Sequence, residues 1–166
     1  MIDLEHEALI NRICQWSRLA RSSRRTFRQR FVAVKLRPTA RKMGLRLMEQ
    51  GPRRYLGEDD SGKGRLLMRP DISLLDDLNR PVAILDTKWK LLESSNPLAS
   101  LSSADLYQLS TYASAYRCDQ VMLLYPEQSG FRGEYQMSLN LARPVTLNVL
   151  AVPLDGKGLS LSVRNV

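Results

Sequence analysis

The chain has 166 residues, 43% of them hydrophobic, and a formal net charge of +8 at pH 7. That is enough apolar material for one domain with a real core and too little chain for two, and no apolar run approaches the length of a membrane span. One histidine, His6, and two widely separated cysteines, Cys14 and Cys118, exclude a zinc site or a histidine-based triad, so any chemistry must rest on carboxylates, amines and hydroxyls. The N-terminus, MIDLEHEALI, lacks the basic start and apolar centre of a secretory signal, and a cytoplasmic protein without membrane contact is expected. Nothing in the pattern fixes an oligomeric state.

Residues 4–19 repeat Leu4, Ala8, Leu9, Ile13, Trp16 and Leu19 at helical spacing, which predicts an amphipathic helix. Six arginines follow between positions 18 and 30, and residues 1–54 hold 14 of the 25 Lys and Arg against four of the 17 Asp and Glu. So local an excess is the signature of a polyanion-binding surface, because each phosphate contacted releases a condensed counterion. Arg21, Arg24, Arg25, Arg28 and Arg30 are the candidates for DNA contact; a merely solubilising helix face is the plainer reading. A second helix is predicted over 26–35, with Phe27, Phe31 and Val34 inward and Pro38 as its stop. Residues 1–43 are thus expected to form a basic helical segment packed on a core of 44–166, the whole making a single domain.

The alternation in 44–50 predicts a strand, and the Gly-, Asp- and Ser-rich stretch 51–64 reads as a mobile surface loop. Segments 65–75 and 81–92 are β-prone and separated by Asp76, Asp77, Leu78, Asn79 and Arg80, a hairpin pattern. Val82 to Leu85 are apolar on both faces, as in a strand covered by layers on both sides. The serine-rich 93–103 predicts a flexible connection, and a helix capped by Ser102 or Ser103 should run to Tyr116. VMLLY at 121–125 predicts a buried strand, with weaker strand candidates at 134–139, 145–152 and 159–163. Hairpin, strand, helix, strand implies an α/β fold with a mixed central sheet flanked by helices.

Chemistry concentrates at Asp71, Asp86 and Lys88. Asp86 and Lys88 are two apart, so on a strand they share a face while Thr87 points the other way. Pairing of the two hairpin strands is expected to bring Asp71 within reach of Asp86. Two carboxylates and the Thr87 carbonyl are hard oxygen donors of the kind Mg²⁺ takes, with Mn²⁺ as a substitute. Beside a phosphodiester such an ion polarises the phosphate and activates water, and Lys88 orients or deprotonates that water and offsets developing charge. An isolated Asp-x-Lys triplet is commonly a solvated ion pair; the combination of Pro70-Asp71, an apolar strand and Asp86-Thr87-Lys88 is what singles this one out. Gln108 and Tyr112, four apart on the predicted helix, share a face and are placed over the site, Gln108 to orient water or phosphate and Tyr112 to donate to a phosphate oxygen; the plainer reading makes Tyr112 core.

Three motifs in order, RPDISLL (69–75), VAILDTKWK (82–90) and DLYQLSTYASAY…VMLLYP (105–126), resemble the nuclease region of the McrC family, the cleavage subunits of McrBC methylcytosine-restriction systems. The resemblance spans roughly residues 27–126 and places the chain in the PD-(D/E)xK superfamily, implying a restriction-endonuclease-like fold. It implies Mg²⁺-dependent cutting of DNA in partnership with a McrB-like GTP-hydrolysing AAA+ subunit. It also puts Asp71, Asp86 and Lys88 in the metal and catalytic positions and matches Gln108 and Tyr112 to a Q-x-x-x-Y helix motif. Two departures stand out. Many such nucleases carry an acid on the helix before the sheet, whereas TFRQRFVAV has Arg28 and no acid, which points to one metal. Family members also have a longer N-terminal portion for the partner ring. The alternatives are a PD-(D/E)xK nuclease of another repair or restriction system, and an inactive DNA-binding or assembly module derived from one.

Overall fold

β5 (Pro81–Thr87) is apolar on both faces from Ala83 to Leu85, and it lies inside the sheet with a helix layer on each side. The computed structural model describes residues 23–90, 98–128, 131–154, 159, 161 and 163, and of 23–27 the main chain alone. The predicted helix over 4–19 and residues 93–97 of the 93–103 connection lie outside the described residues. The other strands are β1 (Arg46–Glu49), β2 (Arg54–Glu58), β3 (Gly64–Met68), β4 (Ile72–Leu75), β6 (Gln120–Pro126), β7 (Glu134–Asn140) and β8 (Pro144–Val152). The helices are α1 (Ser23–Lys42) and α2 (Ser103–Tyr116).

Six strands form one mixed sheet in the order β1-β4-β5-β6-β8-β7. β4 runs antiparallel to β1 and β5, β5 and β8 lie parallel to β6, and β7 returns antiparallel along β8. Period-two alternation divides the core. Ile72, Leu74, Ala83, Leu85, Met122 and Leu124 face α1 and pack with Val32, Ala33, Leu36 and Ala40. Ile84, Val121, Leu123, Tyr125, Leu147 and Val149 face α2 and pack with Leu109, Tyr112, Ala113 and Tyr116. Each fully buried leucine or isoleucine here contributes about 1.5–3 kcal/mol relative to exposure. This is the predicted mixed sheet flanked by helices, compatible with a restriction-endonuclease-like fold.

α2 follows the sequence closely, and the hairpin forms from the inner parts of the expected segments, β4 and β5, whereas residues 65–68 leave for the β2–β3 sheet and the second strand stops at Thr87. Asp76 closes the hairpin turn by accepting from the main-chain N–H groups of Leu78 (3.0 Å) and Arg80 (2.8 Å). Ser102 caps α2, its hydroxyl accepting from the Asp105 N–H at 3.2 Å, and Arg117 ends it in the left-handed conformation, φ 53°.

Three expectations require correction. α1 does not stop at Pro38 but continues to Lys42, and Val34 is 59% exposed rather than inward. Val34 and Pro38 share the solvent face, so the carbonyl that proline leaves without its helical bond is turned towards water. Residues 51–64 are not one loop, because β2 and β3 form a separate antiparallel two-stranded sheet. Its strands stand largely exposed, so no apolar alternation advertises them; Asp59 ties the turn through Ser61, Lys63 and Arg65, and the Tyr55 ring covers Gly64, where a Cβ would meet it at 2.4 Å. Finally, residues 159, 161 and 163 lie outside any strand, Leu159 and Leu161 being buried against the α1-side core.

Candidate active site

The strand period places Asp86 on the α2 face of the sheet, one residue before β5 ends, and Lys88 follows two positions later just beyond the strand. Asp86 is 1% exposed. A lone carboxylate so deeply buried is costly, and the surrounding residues answer that cost with donors. The Lys88 ammonium lies 2.8 Å from Asp86 Oδ2, and the Gln108 amide donates to Asp86 Oδ1 at 3.2 Å. Gln108 Oε1 in turn accepts from Lys88 Nζ at 3.1 Å, so one amide of α2 binds both the acid and the base-type residue of the strand. The same amide donates to the Tyr112 hydroxyl at 3.1 Å. Tyr112 itself is 7% exposed and part of the core, edge-on to Tyr116; its hydroxyl faces Gln108 and holds it in place.

Asp105 completes this cluster and was not singled out from the sequence. Its Oδ1 lies 2.9 Å from Lys88 Nζ and its Oδ2 lies 2.9 Å from Lys90 Nζ. Two sequence signals point to it: Asp105 sits three residues before Gln108 on the same helix face, and Ser102-x-x-Asp105 has the spacing of a capping box. Its position in the first turn of α2 also sets an anion against the positive end of the helix dipole. Burial opposes the Asp105 charge, but bonds from Lys90, Ser102 and Lys88 outweigh it and hold the carboxyl at about 2. For Lys88, burial works against the ammonium, and the bonds and charges of Asp86 and Asp105 more than reverse that, raising its pKa above the ordinary value.

Asp71 occupies the bend just before β4, also 1% exposed. β4 and β5 pair Ile72 with Leu85, so Asp71 and Asp86 take the next position on the two chains. Their bonding partners differ. Asp71 Oδ2 accepts from the Thr87 main-chain N–H (3.0 Å) and hydroxyl (2.9 Å), and Oδ1 accepts from the Gln29 amide of α1, which itself accepts from Gln50. The structure therefore joins Asp86, Lys88, Gln108, Tyr112 and Asp105 into one bonded cluster and ties Asp71 to its edge through Thr87, the residue after Asp86. Gln29 is the second functional residue that the sequence pattern does not single out: it sits among arginines that dominate the composition, whereas the helix presents this amide, 3% exposed, to the acid.

Among the described residues no group of three His, Cys, Asp or Glu side chains converges as a metal cage. What the site offers is two buried carboxylates at matched strand positions, Asp71 bonded by Gln29 from the α1 side and Asp86 bonded by Gln108 from the α2 side, with Thr87 directly after Asp86. That donor set fits Mg²⁺, which is commonly held by one or two carboxylates and retains its waters, and does not resemble a thiolate or imidazole site.

Of the arginines proposed for DNA, Arg28 and Arg30 are described: Arg30 is exposed, and Arg28 lies over the Trp89 ring, 5.5 Å from its centroid. Trp89 follows Lys88 directly and meets Phe31 edge-on at 6.3 Å, so the basic helix abuts the chain leaving the cluster. Arg24 and Arg25 lie in α1 with undescribed side chains, and Arg21 falls outside the described residues. A concavity of about 840 Å³, lined by Arg80, Arg117, Gln120 and Thr146, sits at the opposite end of β5 and β6 and shares no residue with the cluster. Among the described residues no helix is long and apolar enough to cross a membrane.

No curated protein matches the chain. A family model does: that of the McrBC 5-methylcytosine restriction system component matches residues 28–126, from the residue before Gln29 to the end of β6, and so spans every member of the cluster together with Asp71. Over most of its length, then, this chain belongs to the McrBC 5-methylcytosine restriction system component family.

Proposed function

We propose that this restriction-system component is its Mg²⁺-dependent DNA endonuclease, of the PD-(D/E)xK type, working with a McrB-like GTP-hydrolysing AAA+ subunit. The observation that carries this reading is the Gln108 amide bonded to both Asp86 and Lys88, which gathers an acid, an amine and an amide beside a second buried acid. Asp71 and Asp86 are the residues to hold the cation, helped by the Thr87 carbonyl. A divalent ion held by these residues would supply Lewis acidity for the scissile phosphate and for a water near neutral pH. Mn²⁺ is expected to substitute for it. Lys88 supplies positive charge for the extra negative charge that builds on the phosphate, in a setting where partial burial strengthens its field. Gln108 orients Lys88 and Asp86 relative to each other, and Tyr112 anchors Gln108. Arg28 and Arg30 carry the phosphate backbone past the site, together with Arg21, Arg24 and Arg25. Such a role belongs to the cytoplasm, where DNA is met.

The test is a plasmid-nicking assay with the full chain, with and without Mg²⁺ and with and without a McrB-like partner plus GTP. Cleavage that needs the divalent ion and falls at least about 10³-fold in both Asp86→Ala and Lys88→Ala supports the proposal. DNA binding without cleavage in every combination would leave a binding or assembly module.

A further inference from the structure

We infer that Tyr125, a residue outside the proposed catalytic set, is a positioning residue whose hydroxyl donates to the Asp105 carboxylate when Lys88 is drawn away to the scissile phosphate. The inference rests on the nuclease reading and deepens it.

Tyr125 lies on β6, whose parallel register pairs Asp86 with Leu123 and Thr87 with Leu124. The Lys88 N–H donates to the Leu124 carbonyl at 2.8 Å and extends that pairing by one step. Tyr125 therefore stands beside Lys88 and shares the α2 face with Asp86, two residues beyond its strand partner. The side chain is wholly buried, with its ring edge-on to Phe131 at 6.1 Å. Its hydroxyl is buried yet has no hydrogen-bond partner among the described residues. Buried hydroxyls are almost always bonded, and leaving one unmade costs stability that a phenylalanine of the same shape would not incur. A tyrosine kept at such a cost calls for a use for its oxygen.

The groups around it indicate that use. Lys88, beside which Tyr125 stands, reaches Asp105 Oδ1 at 2.9 Å; burial pushes the Tyr125 hydroxyl up, and the negative charges of Asp105 and Asp86 push it further, so it keeps its proton to donate. In the structure Asp105 Oδ1 is taken by Lys88 and Oδ2 by Lys90. If Lys88 turns to a phosphate, Oδ1 loses its donor inside a buried site. Lys90 and Ser102 stay with Asp105; the Tyr125 hydroxyl, buried beside Lys88 and without a partner of its own among the described residues, is a donor to spare for the vacated Oδ1.

The experiment compares the full-length wild type with Tyr125→Phe, Asp105→Asn and the double variant, by thermal melting without metal and by Mg²⁺-dependent cleavage. Tyr125→Phe is expected to melt at the same temperature or up to about 4 °C higher, yet to lose roughly 10–100-fold in kcat with KM for DNA unchanged. The loss should be much smaller in the Asp105→Asn background, since the two act through one bond. Wild-type cleavage by Tyr125→Phe, or equal losses in both backgrounds, overturns the inference and leaves the nuclease reading standing. A lower melting temperature for Tyr125→Phe overturns it too, by showing that the hydroxyl is already bonded in the free protein. A wild type that never cleaves, even with the partner, removes the nuclease reading and this inference with it.

Discussion

Replacing Asp105 by Asn takes away the anion that lies between the Lys88 and Lys90 ammonium groups. The folded carboxyl titrates at about 2 against an ordinary 3.8, because Lys90, Ser102 and Lys88 together outweigh burial. A gap of nearly two units corresponds to roughly 2.5 kcal/mol before screening, at about 1.36 kcal/mol per unit. The Lys90 side chain is 45% exposed, so solvent weakens its share, and about 1–2 kcal/mol is the expected loss of stability at pH 7. The sign follows from the depressed folded pKa: the stabilisation is complete above about pH 4 and disappears as pH falls through the range from 4 to 2. Urea unfolding of wild type and Asp105→Asn at pH 7, 5, 3 and 2 reads this directly. The two proteins should differ at pH 7 and 5 and converge by pH 2. Equal stability at pH 7, or a gap that persists undiminished into acid, would refute the reasoning.

Gln29→Glu sets a second buried anion against Asp71, and should lower the stability of the metal-free protein by about 2 kcal/mol or more. Millimolar Mg²⁺ should restore most of it, since the added carboxylate becomes a further ligand; a melting temperature indifferent to both the substitution and the ion would count against a cation beside Asp71. Reversing Arg28 and Arg30 to Glu should weaken DNA binding on every sequence alike and flatten the log–log salt dependence by roughly 0.9 for each phosphate no longer neutralised, with an unchanged slope assigning these arginines another role. Because Arg28 also stacks over Trp89, its reversal should cost an additional ~0.5–1 kcal/mol of fold stability, which Arg30 reversal should not.

The residues legible in the sequence were those whose spacing matches the period of their element. Asp86 and Lys88, two apart across the end of β5, emerge on one face, and Gln108 and Tyr112, four apart on a helix, meet each other, with Gln108 reaching Asp86. The strand, helix, strand passage from β5 to β6 was legible for the same reason. Asp71 escaped full prediction because it stands in a bend before β4, where alternation no longer fixes direction, and its carboxylate turns to Thr87 and to Gln29 of α1. Phase was also lost in α1, where arginines dominate the composition and the buried stripe of Val32, Ala33, Leu36 and Ala40 includes small residues. The β2–β3 hairpin was invisible to a burial pattern because it buries little. Asp105 and Tyr125 were overlooked for another reason: their relevance depends on which strand and helix become neighbours, a property of the tertiary structure.

The central claim is that Asp71 and Asp86, from neighbouring strand ends, jointly hold one divalent cation. Titration of the full chain with Mn²⁺, followed by electron paramagnetic resonance, tests it without recourse to activity. One bound ion per chain is expected, displaced by Mg²⁺, with affinity reduced roughly tenfold or more by Asp71→Asn and by Asp86→Asn alike. Binding that survives both substitutions, or that depends on one carboxylate and ignores the other, would contradict it.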